Sequence, residues 1–266
     1  MPKISIIMGV FNGEQQMDQA IESVCCQTFQ DWELIICDDA SSDGTYQRLL
    51  WWSGKDPRIV VLHNNRNLRL ARTLNVCLDH AKGEYIARMD DDDVSYPRRL
   101  EKQAAFLDNH KEFGFVSSLV DCYDGTQIVK NRFYRVAEPG KKDFLRGTQF
   151  VHPATMFRKE CLKAVGGYRI ARETVRTEDY DLFMRLYARG YRGYNIQEPL
   201  LRYFVNPEAM QQKRLYRYRI NEAVVRWKGF KAMGLMPGAF PYVVRPLIVG
   251  LIPQRLIWNL VYKKKG

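Results

Sequence analysis

The chain has six cysteines (Cys25, Cys26, Cys37, Cys77, Cys122 and Cys161) but no CxxC spacing among them. Several lie in apolar segments, as reduced, buried thiols of a cytosolic protein do, so neither a disulfide framework nor a zinc site is expected. No secretory leader is visible: Met1-Pro2-Lys3 runs directly into the strand-like ISIIM, without a cleavage site of small residues. The expectation is cytoplasmic residence. Acidic residues are scarce in the last quarter. Residues 1–200 hold 28 Lys and Arg against 28 Asp and Glu, and residues 201–266 hold 13 against 2, so the tail carries the entire net charge of +11. A basic tail on a neutral body calls for a polyanionic surface, either anionic lipid or nucleic acid.

What is present is an alternation. Residues 3–8, 32–37, 58–63 and 84–89 are runs that read as strands, the first of them, rich in Ile, covered on both faces. Between them, Glu14 to Val24, a stretch through Leu49 and Leu50, and Leu70, Leu74, Cys77, Leu78 and Ala81 have helical spacing. Gly83 is expected to close the third helix. This order predicts an α/β fold with a mostly parallel sheet, flanked by helices, whose ligands sit at the carboxyl ends of the strands. Those ends carry Gly9 to Glu14, Asp38 to Asp43, and Asp90 to Asp93. Further on, residues 178–190 read as a helix ending at Gly190. Tyr216, Ile220, Ala223, Val224 and Trp227 mark an amphipathic helix with an Arg-rich opposite face. No repeat or low-complexity segment is present.

Four consecutive carboxylates repel one another, so their gathering at a strand end points to a compensating cation; oxygen ligands suit Mg²⁺, Mn²⁺ or Ca²⁺ rather than zinc. The bland alternative is a solvated acidic loop. The cluster DDASSDGT mimics a calcium loop, but its twelfth position from Asp39 is Leu50, where that loop needs Glu. Asp39 instead suits a nucleotide base or ribose, while Asp43 or Ser42 caps the next helix. Glu178, Asp179 and Asp181 fall at a helix start, where the dipole alone accounts for acidic residues; on a functional reading one of them is a general base. His152, a lone histidine before a proline, is read as structural or as weakly acceptor-side.

Taken in order, SIIMGVFNGE, ELIICDDASSDGT, GEYIARMDDDDVSYPRRLEKQ, HPATMFRKECLKAVGGY and EDYDLFMRL resemble the family 2 inverting glycosyltransferases, from residue 3 to about residue 205. That resemblance implies a GT-A fold, a nucleotide-diphosphate sugar donor carrying UDP or dTDP, Mn²⁺ or Mg²⁺, and inversion at the anomeric carbon. It implies that Val10 and Phe11 line the base pocket, with Glu14 on the donor side, and that Asp39 binds the base. Asp92, with Asp90, would hold the metal, Asp90 or Asp91 the ribose, and Asp179 would be the base, with Glu178 on the acceptor side. Arg69 stands where many relatives have Gly and is assigned to the donor. Asp91 replaces a small residue of the usual pattern, which leaves the ligand register open.

The expected division is a catalytic domain at 1–205 and a helical C-terminal extension at 206–266. From Pro237 to Tyr262 the tail is rich in apolar and aromatic residues. Pro241, Pro246, Pro253, Arg245, Gln254 and Arg255 interrupt it before any run reaches the roughly 18 residues of a membrane span. The extension is therefore expected to lie in the inner-leaflet interface, with Lys263, Lys264 and Lys265 against anionic lipid; packing on the catalytic domain or in a dimer is the alternative. The acceptor expected is a glycan or lipid-linked saccharide in polysaccharide biosynthesis. Two other functions compete. A sugar nucleotidyltransferase is disfavoured because Gly9 to Gly13 contains no Lys or Arg to grip a triphosphate. A non-catalytic basic module is the other; the neutral body and apolar tail favour lipid over nucleic acid as its partner.

Overall fold

The computed structural model describes residues 1–129, 135–205 and 215–251. Ile4–Val10 (β1), Trp32–Asp38 (β2), Ile59–His63 (β3) and Tyr85–Arg88 (β4) pair in parallel in the order β3-β2-β1-β4. Met17–Cys25 (α1), Thr45–Lys55 (α2) and Leu70–His80 (α3) make the crossovers. β1, β2 and β4 are buried nearly throughout, as apolar strands covered by helices on both faces should be. Strand register fixes where the loops emerge. Val10 lies opposite Asp38, Asp38 opposite His63, and Ile7 opposite Arg88, so the loops after β1, β2 and β4 leave the sheet along one edge.

Beyond β4 the sheet changes direction. Val94–Ser95 (β5), Arg99–Asn109 (α4), Phe115–Tyr123 (β6), Ile128–Val129 (β7), Met156–Arg158 (β8), Lys159–Ala164 (α5), Glu178–Ala188 (α6) and Gly193–Phe204 (β9) complete the body. β8 runs antiparallel to both β4 and β6, β9 is parallel to β6, and the short β5 closes the far edge against β9. One core cluster joins β1, β2 and β4 to α1 and α4. A second, rich in aromatics, joins Phe115, Phe150, Phe157, Phe183 and Tyr187.

Tyr216–Ala232 (α7) and Phe240–Leu251 (α8) pack against this second cluster through Val225, Phe230, Met233 and Val243. Gly229 lets α7 approach α6: a Cβ there would lie 2.4 Å from the Met184 sulfur. Two expectations for this region are corrected. Ala223 is buried, but Tyr216, Ile220, Val224 and Trp227, expected to form the packed face of α7, are exposed. Arg226, expected on the solvent face, is buried, paired with Glu222 and donating to the Leu145 carbonyl. The close helix contact through Gly229 selects the inward face; side-chain hydrophobicity does not. No helix among the described residues is long and apolar enough to cross a membrane. The expected boundary at 205, and the tail from 252 to 266 with its three terminal lysines, border on or lie outside the described residues.

All six cysteines are free thiols, four of them buried. Gly83 also departs from expectation. α3 ends at His80 with Ala81 already extended, and Gly83 has no left-handed backbone; its N–H donates to Ser5 Oγ at 2.7 Å. A Cβ there would lie 2.5 Å from the Ser5 nitrogen. Its role is close approach of two backbones. Gly83→Ala and Gly83→Asn should therefore each destabilise the fold by about 1–3 kcal/mol, read from urea unfolding midpoints. A cap would instead tolerate Asn clearly better than Ala.

Candidate active site

The loops after β1 and β2 are tied together. Asn12, with φ of 54°, donates its N–H to Ser41 Oγ and accepts from the Ser42 N–H, each at 2.9 Å. The Gly13 N–H donates to Thr45 Oγ1, and Glu14 Oε2 accepts from the Gly44 N–H at 3.0 Å. Glu14, assigned to the donor from the resemblance, thus serves the start of α2, where a carboxylate is favourable. Asp43 accepts from the Thr45 N–H, while Ser42 makes no cap. Val10 packs its side chain into the core; Phe11 is about half exposed at the loop tip.

Asp39 is buried and accepts 2.8 Å hydrogen bonds from Asn64 Nδ2 and from the backbone N–H groups of Leu68 and Arg69. It pins the 64–69 loop beside the edge where its own strand ends. Arg69 is held there at φ 69° and ψ 158°, a backbone region that glycine occupies freely and other residues only under strain.

The acidic run splays in different directions. Asp90 forms an ion pair with the fully buried Arg88. Asp91 turns toward the first loop, where a Cβ on Gly13 would meet its Oδ2 at 2.5 Å. Asp93 is buried; its Oδ1 accepts from the Phe204 N–H on β9 at 2.8 Å, and its Oδ2 has no hydrogen-bond partner among the described residues. Oxygens of Asp90, Asp92 and Asp93 lie within 4.8 Å of one another. The expected pair of Asp92 and Asp90 is therefore joined by Asp93, while Asp91 stands apart.

Burial, then the charges of Asp92 and Asp90, push the Asp91 carboxyl up to about 8. Burial and the charges of Asp90 and Asp92 raise Asp93 well above the usual range. An all-oxygen cluster with a buried, unpartnered carboxylate oxygen fits a hard divalent cation such as Mg²⁺ or Mn²⁺.

Glu178 and Asp179 open α6 and face this cluster. Burial first, and then the Asp179 charge, push the Glu178 carboxyl up to about 7; Arg88 opposes and Asp90 adds to the rise. Asp179 Oδ1 accepts from the Tyr180 N–H at 2.7 Å. The Tyr203 phenol on β9 is pushed upward by burial and then by the charges of Asp90, Asp93, Asp92 and Asp179. Asp181 is separate: it is buried between Arg169, at 2.6 Å, and Arg185, at 2.7 Å.

His152, read as weakly acceptor-side, is buried among aromatic rings, with Nε2 2.7 Å from the Tyr168 hydroxyl. Burial and then the Arg88 charge hold it well below the ordinary histidine range, so it stays neutral. Sequence reasoning passed over Arg88 and Arg99. The signal was there: charged residues flanking the acidic run, one of them inside an apolar strand.

Comparison with known proteins identifies the family and the fold. Residues 5–166 match the family described as Glycosyl transferase family 2. The chain is 38% identical over 270 residues to the putative glycosyltransferase EpsE of Bacillus subtilis, covering 99% of this chain and 94% of that one. It is 31% identical over 222 residues to the O-antigen biosynthesis glycosyltransferase WbnJ of Escherichia coli, covering 81% and 84%. The structure of S. aureus TarS 1-349 in complex with UDP-GlcNAc superposes with a TM-score of 0.74 at 18% identity, over 99% of this chain and 74% of that one. That likeness carries the fold, which is mixed α/β of the GT-A type.

The raised Glu178 carboxyl has a consequence for stability. Between the ordinary value of 4.5 and about 7 the folded form holds a proton that the unfolded form releases, so stability falls as pH rises through that window. In protein stripped of divalent cations with EDTA, Glu178→Gln should raise the thermal midpoint more at pH 8 than at pH 5. A difference independent of pH would show that Glu178 does not carry the raised value.

Proposed function

We propose a reaction for a chain that belongs to glycosyl transferase family 2: inverting transfer of a sugar from a nucleotide-diphosphate donor, UDP- or dTDP-linked, to a hydroxyl of a glycan or lipid-linked saccharide. The chain is a glycosyltransferase of polysaccharide biosynthesis. The observation that carries the finer reading is the convergence of Asp90, Asp92 and Asp93 with the Glu178 and Asp179 pair at one sheet edge. The nucleoside lies over the loops after β1 and β2, against Phe11 and near Asp39. Asp90, Asp92 and Asp93 would hold Mn²⁺ or Mg²⁺, which when bound offsets negative charge on the departing diphosphate.

Asp179 accepts the proton of the acceptor hydroxyl as its oxygen bonds to the anomeric carbon and the bond to the nucleoside diphosphate breaks. The paired carboxyls support this choice: Glu178 holds its proton up to about 7, leaving Asp179 as the ionised member of the pair. Arg88 keeps Asp90 in place beneath the diphosphate. A basic tail on a neutral body supports work at the cytoplasmic face of a membrane. UDP-GlcNAc, the donor bound to TarS, is one of the sugars to test first, beside UDP-Glc, UDP-Gal, UDP-GalNAc and dTDP-rhamnose with Mn²⁺.

With the donor that shifts the melting point, Asp92→Ala and Asp179→Ala should each lower transfer by at least about 10²-fold while circular dichroism stays unchanged. Near-normal transfer by Asp179→Ala would reject the base assignment.

A further inference from the structure

Asp90 can be approached from two directions. Its carboxylate is 28% exposed toward solvent, and inward it forms an ion pair with Arg88, whose side chain is 1% exposed. The backbone of Arg88 is clamped within β4: it lies opposite Ile7 of β1, its N–H donates to the Thr155 carbonyl at 2.9 Å, and its carbonyl accepts from Arg99 at 2.6 Å. The Arg88 Nε has no hydrogen-bond partner among the described residues. The ion pair with Asp90 thus compensates a charge that burial by itself would penalise.

The same carboxylate belongs to the oxygen cluster. Oxygens of Asp90, Asp92 and Asp93 lie within 4.8 Å of one another, and the buried Asp93 Oδ2 has no hydrogen-bond partner among the described residues. A divalent cation entering from the solvent side would take up an oxygen of Asp90 with Arg88 behind it, and the two cations repel. The charge count also disfavours the metal alone. Three clustered carboxylates over two buried guanidiniums, Arg88 and Arg99, leave at most one surplus negative charge, so a dication turns the cluster net positive. Asp91, turned toward Gly13, stands outside this count. A diphosphate bound on the same cation would restore the balance.

We propose that Arg88 is a positioning residue that competes with the metal for Asp90, so that the cluster binds a divalent cation tightly only together with a nucleoside diphosphate. Arg88 acts through Asp90 rather than on the donor. Without the diphosphate, the guanidinium retains Asp90 and the run is neutralised from within the protein. With it, the added negative charge outweighs the repulsion between the cations, and Asp90 is shared. The inference rests on the reading that Asp90, Asp92 and Asp93 hold a divalent metal.

The test is calorimetric titration of the full chain with Mn²⁺, with and without saturating UDP, and a thermal midpoint for each sample. UDP should tighten Mn²⁺ binding at least about tenfold, and by reciprocity Mn²⁺ should tighten UDP binding by the same factor. Arg88→Gln keeps a hydrogen-bond donor toward Asp90 and removes the charge. Without UDP it should bind Mn²⁺ at least about tenfold more tightly than the unaltered chain, and it should lose most of the UDP-dependent tightening. Its thermal midpoint should fall in EDTA and recover further with Mn²⁺ than that of the unaltered chain. Arg88→Lys keeps the charge, and its Mn²⁺ affinity should stay within about threefold of the unaltered chain. A strut that merely holds Asp90 in place predicts the opposite sign, with both variants binding Mn²⁺ more weakly. That outcome overturns the proposal, as does unchanged Mn²⁺ affinity in Arg88→Gln. Should Arg88→Gln fail to fold, the other two proteins decide: Mn²⁺ binding that ignores UDP in the unaltered chain, or a large loss of it in Arg88→Lys, is sufficient to reject the competition. Mn²⁺ that binds none of these proteins, even with UDP present, rejects the metal reading itself and the proposal with it.

Discussion

Four adjacent aspartates can be held at one strand end only if positive charge lies beneath them. Two buried guanidiniums supply it. Arg88 is fully buried at the end of β4 and pairs with Asp90. Arg99, equally buried at the start of α4, donates to the Arg88 carbonyl at 2.6 Å, to Ser95 Oγ at 3.0 Å and to Gln103 Oε1 at 3.2 Å. Burial pulls Arg99 down to about 10 even though Asp93 opposes that fall. Charges taken out of water carry penalties of several kcal/mol each unless well compensated, so the acidic run and the two arginines stand or fall together. The rest of the site is arranged around this pairing: Asp93 reaches β9, Asp91 reaches the first loop, and Asp92 remains with Asp90 and Asp93 in the oxygen cluster.

The parallel half of the sheet carries the loops to that cluster, and the loops are bonded directly to one another. Asn12, Gly13 and Glu14 bond to Ser41, Ser42, Thr45 and Gly44, and Asp39 collects the 64–69 loop. Residues with left-handed backbone occur at each junction: Asn12, Ala40 and Arg69. Local strain of this kind persists where the surrounding bonds over-determine the conformation, as the bonds between these loops do.

The antiparallel half has a different task. His152, just before β8, packs its ring against Tyr168 and against Phe183 of α6, and the Arg88 charge together with burial keeps that histidine neutral. α6 then presents Glu178 and Asp179 to the cluster while turning Asp181 back toward Arg169 and Arg185. Three acidic residues in one helical turn thus divide into two at the site and one holding the helix to its neighbours. α7 packs through Gly229 and Arg226, which leaves its more apolar stripe outward beside a basic cavity.

By itself the sequence determined the alternation of strands and helices, the edge to which the three polar loops belong, and the family. Apolar runs of fixed length, turn residues and ordered motifs are local properties, and they survive any rearrangement of the chain around them. It did not determine which carboxylate does what. Asp90 to Asp93 are chemically identical in a one-dimensional string; only the positions of Arg88, Gly13 and the Phe204 N–H distinguish them. Gly83 read as a helix cap because its neighbours in sequence were a helix, whereas its constraint comes from Ser5, 78 residues away. The face of α7 that is buried was equally undecidable, since both faces hold apolar residues and the contact with Met184 selects between them. Nearest neighbours along the chain are written in the sequence; nearest neighbours in space, which set charge, burial and approach, exist only once the chain has folded.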